Sequence, residues 1–209
     1  MHAIGISAGS VASIVIALSF AAGLNVYATV FALGLMARLH WVVLPAGLES
    51  LANTWIIAVS GVLFAGEFVA DKVPGFDLFW NALNTFVRIP VAALLAYGAS
   101  SHLPPEAHLL ITCAGAALAT LAHGSKTAVR LAVTPSPEPV SNIALSTGED
   151  ALALWLTWLA THHPMAAGIA AAVLSVGAVV AVVLGARLLR KAFRRLLGQD
   201  STLAISLQK

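Results

Sequence analysis

The chain has 209 residues, 59% of them hydrophobic and only 10% charged, and a mean hydropathy of +0.91. Soluble domains carry about 25% charged residues, so the polar surface that a water-exposed globule requires is missing. That argues against a soluble enzyme, a disordered tail and a nucleic-acid module. The net charge of +2 is local, because five of the eleven basic residues (Arg187, Arg190, Lys191, Arg194, Arg195) fall within nine positions. The lone Cys113 excludes an internal disulfide and any multi-cysteine metal site.

The first apolar run covers 11–37 without a charge. At 1.5 Å per residue it exceeds the roughly 30 Å hydrocarbon core, which predicts a tilted helix or a break near Gly23-Leu24-Asn25. No basic n-region precedes it, so it is expected to remain in the mature protein rather than serve as a signal peptide. Further apolar segments cover 51–70, with Glu67 near the end, and 79–97, with Arg88 and Pro90. The next is 108–133, whose second half carries His123, Lys126 and Arg130. Then come 142–160 and 165–186, the last polar only at Ser175. Proline and glycine at 45–47, 74–75, 104–105, 135–139 and 164 punctuate these segments. The expected fold is all-α: a polytopic transmembrane bundle of about six helices, with a broken first helix and a re-entrant Pro-rich loop at 135–139 as additional features. No linker divides it, so residues 1–186 read as a single transmembrane domain and 187–209 as a basic cytoplasmic tail.

Basic residues concentrate on the cytoplasmic side of membrane proteins. The block after the sixth helix therefore places the C-terminus in the cytoplasm, and an even helix count places the N-terminus there too. The implied location is the inner membrane, with lipid as a partner. The Ala/Gly-rich sixth helix suits packing against a second copy or another membrane protein; no nucleic acid is expected.

Ionisable groups inside membrane spans are costly, about 2.5–3.5 kcal/mol each, and by default mark function. Here they fall at helical spacings. Glu67 and Asp71, with Lys72 beside them, close the second segment. Asn81, Asn84 and Arg88 lie on one face of the third, and His123, Lys126 and Arg130 repeat that spacing on the fourth. Asn142, Ser146, Glu149 and Asp150 line the fifth; Asn25 is the one strongly polar residue deep in the first. Polar stripes avoid hydrocarbon by facing each other or water, so these residues, with Glu138 of the Pro-rich loop, are expected around a shared interior. Acidic residues would bind a cation or exchange protons. Arg88, Lys126 and Arg130 would balance them or hold an anionic group, and the asparagines would complete the hydrogen bonding.

Other motifs carry less. Gly5-Ile6-Ser7-Ala8-Gly9 matches the nucleophile-elbow pattern, yet no strand precedes it and no triad partners are placed. His162-His163 has no further ligand spaced to close a metal site, and no phosphate- or dinucleotide-binding glycine loop is present. No catalytic residue, metal or cofactor is assigned. The expected function is a transporter or channel for a cation, proton or small polar solute. The alternatives are an assembly subunit of a membrane complex and a protein that binds or flips anionic lipid headgroups.

Four blocks resemble the signatures of a bacterial multi-pass membrane family, the domain of unknown function 4126 family. They are Ala22-Gly23-Leu24-Asn25-Val26-Tyr27, Glu67 through Gly75, His123-Gly124-Ser125-Lys126, and Ser136 through Asn142 with Glu149-Asp150. The resemblance covers residues 10–185 and implies a helical membrane fold without supplying a substrate.

Overall fold

The computed structural model describes residues 8–72, 76–133 and 139–206. They form seven α-helices: α1 (Ala8–Leu24), α2 (Val26–Arg38), α3 (Thr54–Ala70), α4 (Phe76–Ala99), α5 (Pro105–Val133), α6 (Pro139–His162) and α7 (Pro164–Ser206). A 3₁₀ helix (Ala46–Ala52) leads into α3, and there is no strand among the described residues. Proline is the first residue of α5, α6 and α7. Its fixed φ suits a helix start and its missing N–H is not needed there. The 43 residues of α7 reach about 65 Å, so the basic block continues this helix instead of starting a separate element.

The first apolar run is divided at one residue. Asn25 is extended, with φ −148° and ψ 102°, and caps α2 by accepting the Ala28 N–H on its side-chain oxygen at 2.9 Å. In an unbroken helix that N–H would bond the Leu24 carbonyl. The cap therefore releases a backbone acceptor in the middle of the run.

Helix α1 is the hub, packed against α4, α5, α6 and α7. Small side chains make this possible: Ala17, Ala21, Ala22, Ala92, Ala96, Ala119, Ala122, Ala153, Ala167 and Ala171 are all buried, as in helix contacts formed without a hydrophobic driving force. Gly23 marks the closest approach, since a Cβ there would lie 2.6 Å from the Ala119 carbonyl oxygen and 2.7 Å from the Ala122 Cβ. Gly23→Leu should force α1 off α5 and cost about 3 kcal/mol, at the upper end for overpacked cores; thermal unfolding in detergent measures it.

Large apolar side chains point outward, among them Phe86, Leu94, Ile169, Val173, Val176 and Val180. The charged side chains of the middle helices, Glu67, Asp71, Arg88, Lys126, Arg130 and Asp150, are buried instead. Helices α4, α5 and α7 contain segments long and apolar enough to cross a membrane, Phe79–Ala99, Pro105–Arg130 and Pro164–Lys191. The 3₁₀ helix and α3, bent by 70°, add a fourth if counted as one broken span. This inside-out distribution is compatible with a membrane protein. The count falls below six for physical reasons: Asn25 cuts the first run into helices of 17 and 13 residues, and α6 carries Glu149 and Asp150 among several hydroxyl residues.

Candidate functional site

Helices α3 to α6 bring their polar faces together beside the Asn25 break. The C-terminal turn of α3 supplies Glu67, and Asp71 follows at its cap. Helix α4 supplies Asn81, Asn84 and Arg88, α5 supplies His123, Lys126 and Arg130, and α6 supplies Glu149 and Asp150. Glu67, Asp71 and Arg88 are fully buried, and Lys126, Arg130 and Asp150 nearly so. Glu149 is the least enclosed, with 13% of its side chain accessible.

The three cations are shared among the carboxylates. Arg88 pairs with Glu67 through Nη2 and Oε1. The Lys126 ammonium lies 3.0 Å from Asp71, 3.1 Å from Glu149 and 3.5 Å from Glu67. Arg130 Nη2 bridges Asp71 at 2.7 Å and Glu149 at 2.8 Å. Lys126 also donates to the Leu24 carbonyl at 3.3 Å, the acceptor that the Asn25 cap released. The helix break thus supplies a ligand to the charged network as well as a bend in the chain.

Neutral groups close the α4 side. Arg88 Nη1 donates to Asn81 Oδ1 at 3.2 Å and to His123 Nδ1 at 2.9 Å. A guanidinium has no acceptor, so Nδ1 must be the bare nitrogen and Nε2 carries the proton, which it donates to Thr85 Oγ1 at 2.7 Å. The Thr85 hydroxyl in turn donates to the Asn81 carbonyl. His123 is therefore a neutral imidazole held at both nitrogens. The Tyr27 hydroxyl donates to Asn84 Oδ1 at 3.0 Å.

Asp150 differs from the other carboxylates. Its Oδ1 accepts from Asn25 Nδ2 at 2.8 Å, while its Oδ2 is buried without a hydrogen-bond partner. No lysine or arginine lies within 4 Å of it among the described residues. What it faces is dipolar: an amide and the N-terminus of α2, whose partial charge is worth about 0.3–1 kcal/mol to a nearby anion. One turn earlier on α6, Ser146 Oγ is also buried and unpartnered. Glu67 Oε2 is a further buried oxygen in this state.

Of the sequence candidates, Asn25, Glu67, Asp71, Asn81, Asn84, Arg88, His123, Lys126, Arg130, Glu149 and Asp150 converge. Lys72 stands at the edge: its ammonium donates to the Phe68 carbonyl at 2.9 Å and sits over the Phe68 ring, with no carboxylate in ion-pair contact among the described residues. Partial burial lowers its pKa, opposed by the nearby carboxylates of Asp150 and Asp71. Glu138, the Pro-rich loop at 134–138 and the side chain of Asn142 lie outside the described residues. Thr85 and Tyr27 were not among the candidates. Thr85 fits the α4 stripe at 81, 84, 85 and 88, so spacing alone signals it; Tyr27 leaves only the weaker trace of a phenol inside an apolar span.

Residues 12–184 match the family described as Domain of unknown function (DUF4126). The chain belongs to this family. The match ends just before the basic block of α7 and includes every residue of the charged network. No curated protein and no solved structure matches the chain.

Proposed function

We propose that this DUF4126 chain is a six-span membrane transporter whose charged centre exchanges a proton or a small cation at Asp150. In this reading α1 and α2 form one broken span, the 3₁₀ helix and α3 a second, and α4 to α7 the rest. The basic end of α7 lies in the cytoplasm by the positive-inside rule, as do both termini. The observation that carries the reading is the Asp150 carboxylate, buried with one oxygen unpartnered and no cation in contact among the described residues. The ion-paired carboxylates Glu67, Asp71 and Glu149 share Arg88, Lys126 and Arg130, and Lys72 stands at the edge. A buried carboxylate with no cation in contact is expensive unless it takes up a proton or a cation. Ser146 Oγ, one turn earlier on α6 and also unpartnered, adds an acceptor of the kind a proton-bearing water or a hard cation requires.

Glu149 supplies the way in, as the network member with the most accessible side chain. Asn25 couples the exchange to the backbone, because its two side-chain groups serve the α2 cap and Asp150 together. Changing the charge on Asp150 therefore bears directly on the break in the first span, a device of transporters with discontinuous helices. Asn25→Ala removes both roles. It should cost about 1 kcal/mol of stability from the lost cap and also slow exchange, whereas a mere cap would move stability alone.

The test is dissipation of an imposed pH gradient in proteoliposomes prepared in sodium, potassium or choline medium. Wild type should collapse the gradient and Asp150→Asn should not. Equal, background-level rates for both proteins would remove the reading. A structural reading has one observation in its favour: all three buried cations are ion-paired. It predicts that background result.

A further inference from the structure

Between α2, the 3₁₀ helix, α3 and α4 lies a cavity of about 600 Å³, within the 300–1,000 Å³ of small-molecule sites. Among the described residues no charged one lines it; its walls include Val59, Leu63, Val91 and Leu94. Trp55, Val59, Leu94 and Tyr97 on its rim are exposed to the surroundings of the helices, so it opens sideways, where hydrocarbon would lie. Its wall also contains Tyr27, whose hydroxyl bonds Asn84. One hydrogen bond therefore separates an apolar cavity from the charged network.

The polar groups just past that bond are short of acceptors. Asn84 Nδ2, Asn81 Nδ2 and Arg88 Nε are donors without partners, on residues that are at most 2% exposed. All three lie on one face of α4, at positions 81, 84 and 88. Leaving buried donors unmade costs about 1–3 kcal/mol apiece, so this face is built for oxygen atoms that another molecule brings. Unpartnered acceptors lie on Glu67, the carboxylate already paired with Arg88, and on Ser146 and Asp150 of α6.

We propose that the cavity and the α4 donors form a binding site for an amphipathic monocarboxylic acid of the fatty-acid class. The alkyl chain occupies the apolar cavity, reached laterally between α3 and α4. The carboxylate displaces the Tyr27 contact and accepts from Asn84, Asn81 and Arg88 Nε. A guanidinium N–H and two amides suit a carboxylate better than a neutral ester, because a charged acceptor about doubles the strength of such bonds. An ammonium headgroup could use none of these three donors. The proposal names a substrate for the network and rests on the proton-exchange reading only for coupling, not for binding.

The test uses protein in phosphatidylcholine nanodiscs and a diazirine-bearing palmitic acid as photoprobe, with labelled peptides located by mass spectrometry. Saturable labelling is expected on the cavity walls, at 55–63 and 91–98. Oleate should compete at least about tenfold better than monoolein or oleylamine. Leu63→Trp, which fills the cavity, and Asn84→Asp, which replaces donors by a negative charge, should each reduce labelling at least about fivefold. Labelling that does not saturate, or that spreads over all outward helix faces, overturns the proposal. So does equal competition by oleylamine, a wild-type measurement that does not depend on how the variants fold. Saturable labelling with no pH-gradient collapse leaves the site standing and removes proton exchange; the converse removes the site alone.

Discussion

Arg88→Ala should destabilise the protein by about 3–5 kcal/mol, the usual cost of removing one member of a buried ion pair. The loss exceeds the net worth of the Arg88–Glu67 pair, because Glu67 would remain fully buried with only the Lys126 ammonium, 3.5 Å away, to share. His123 and Asn81 would also lose their common donor, freeing the imidazole to change tautomer. Glu67→Gln/Arg88→Gln removes both charges while keeping side chains that can hydrogen-bond. It should recover more than half of the loss, because hydrogen-bonded neutral groups avoid the desolvation cost of a lone ion. Denaturant unfolding of the purified proteins in one detergent compares the three. A loss below about 1 kcal/mol for Arg88→Ala would mean that the pair is hydrated, since that is the range of exposed ion pairs.

Asp150→Asn should have the opposite profile: little change in stability and loss of exchange. Asparagine is nearly isosteric, and its carbonyl oxygen can still accept from Asn25 Nδ2. Removing a carboxylate that has no cation in contact sacrifices no ion pair, so stability should stay within about 1 kcal/mol of wild type or rise. Flux should fall at least about tenfold, since an amide neither binds nor releases a proton in this pH range. Glu149→Gln separates way in from site. It leaves Lys126 paired with Asp71 and Glu67, and Arg130 paired with Asp71, so it should slow exchange without abolishing it.

Much of the site was legible because hydrocarbon imposes a simple rule. Glu67, Arg88, Lys126 and Glu149 stand on different helices, yet each lies in a stripe at helical spacing, and such stripes can escape lipid only by meeting. Glycine before Asn25 likewise pointed to the break, and Asn25 divides α1 from α2. The pairing was beyond reach. Spacing places Asp71 and Asp150 in equivalent stripes, and only the three-dimensional placement of the helix ends decides that Asp71 receives Lys126 and Arg130 while Asp150 receives an amide. The release of the Leu24 carbonyl to Lys126 was hidden too, since it depends on an asparagine rotamer. Lys72 shows the reverse limit: adjacent to Asp71 in sequence, it turns at the end of α3 onto Phe68 instead of pairing with Asp71.

The most direct measurement is the infrared difference spectrum between low and high pH of wild type and Asp150→Asn, with ¹³C-carboxyl aspartate marking the signal. A protonated-carboxyl band that shifts with the label, titrates with pH and vanishes in Asp150→Asn is the predicted result. A band that persists unchanged in Asp150→Asn, or no titrating aspartate band in wild type, would contradict proton exchange at Asp150.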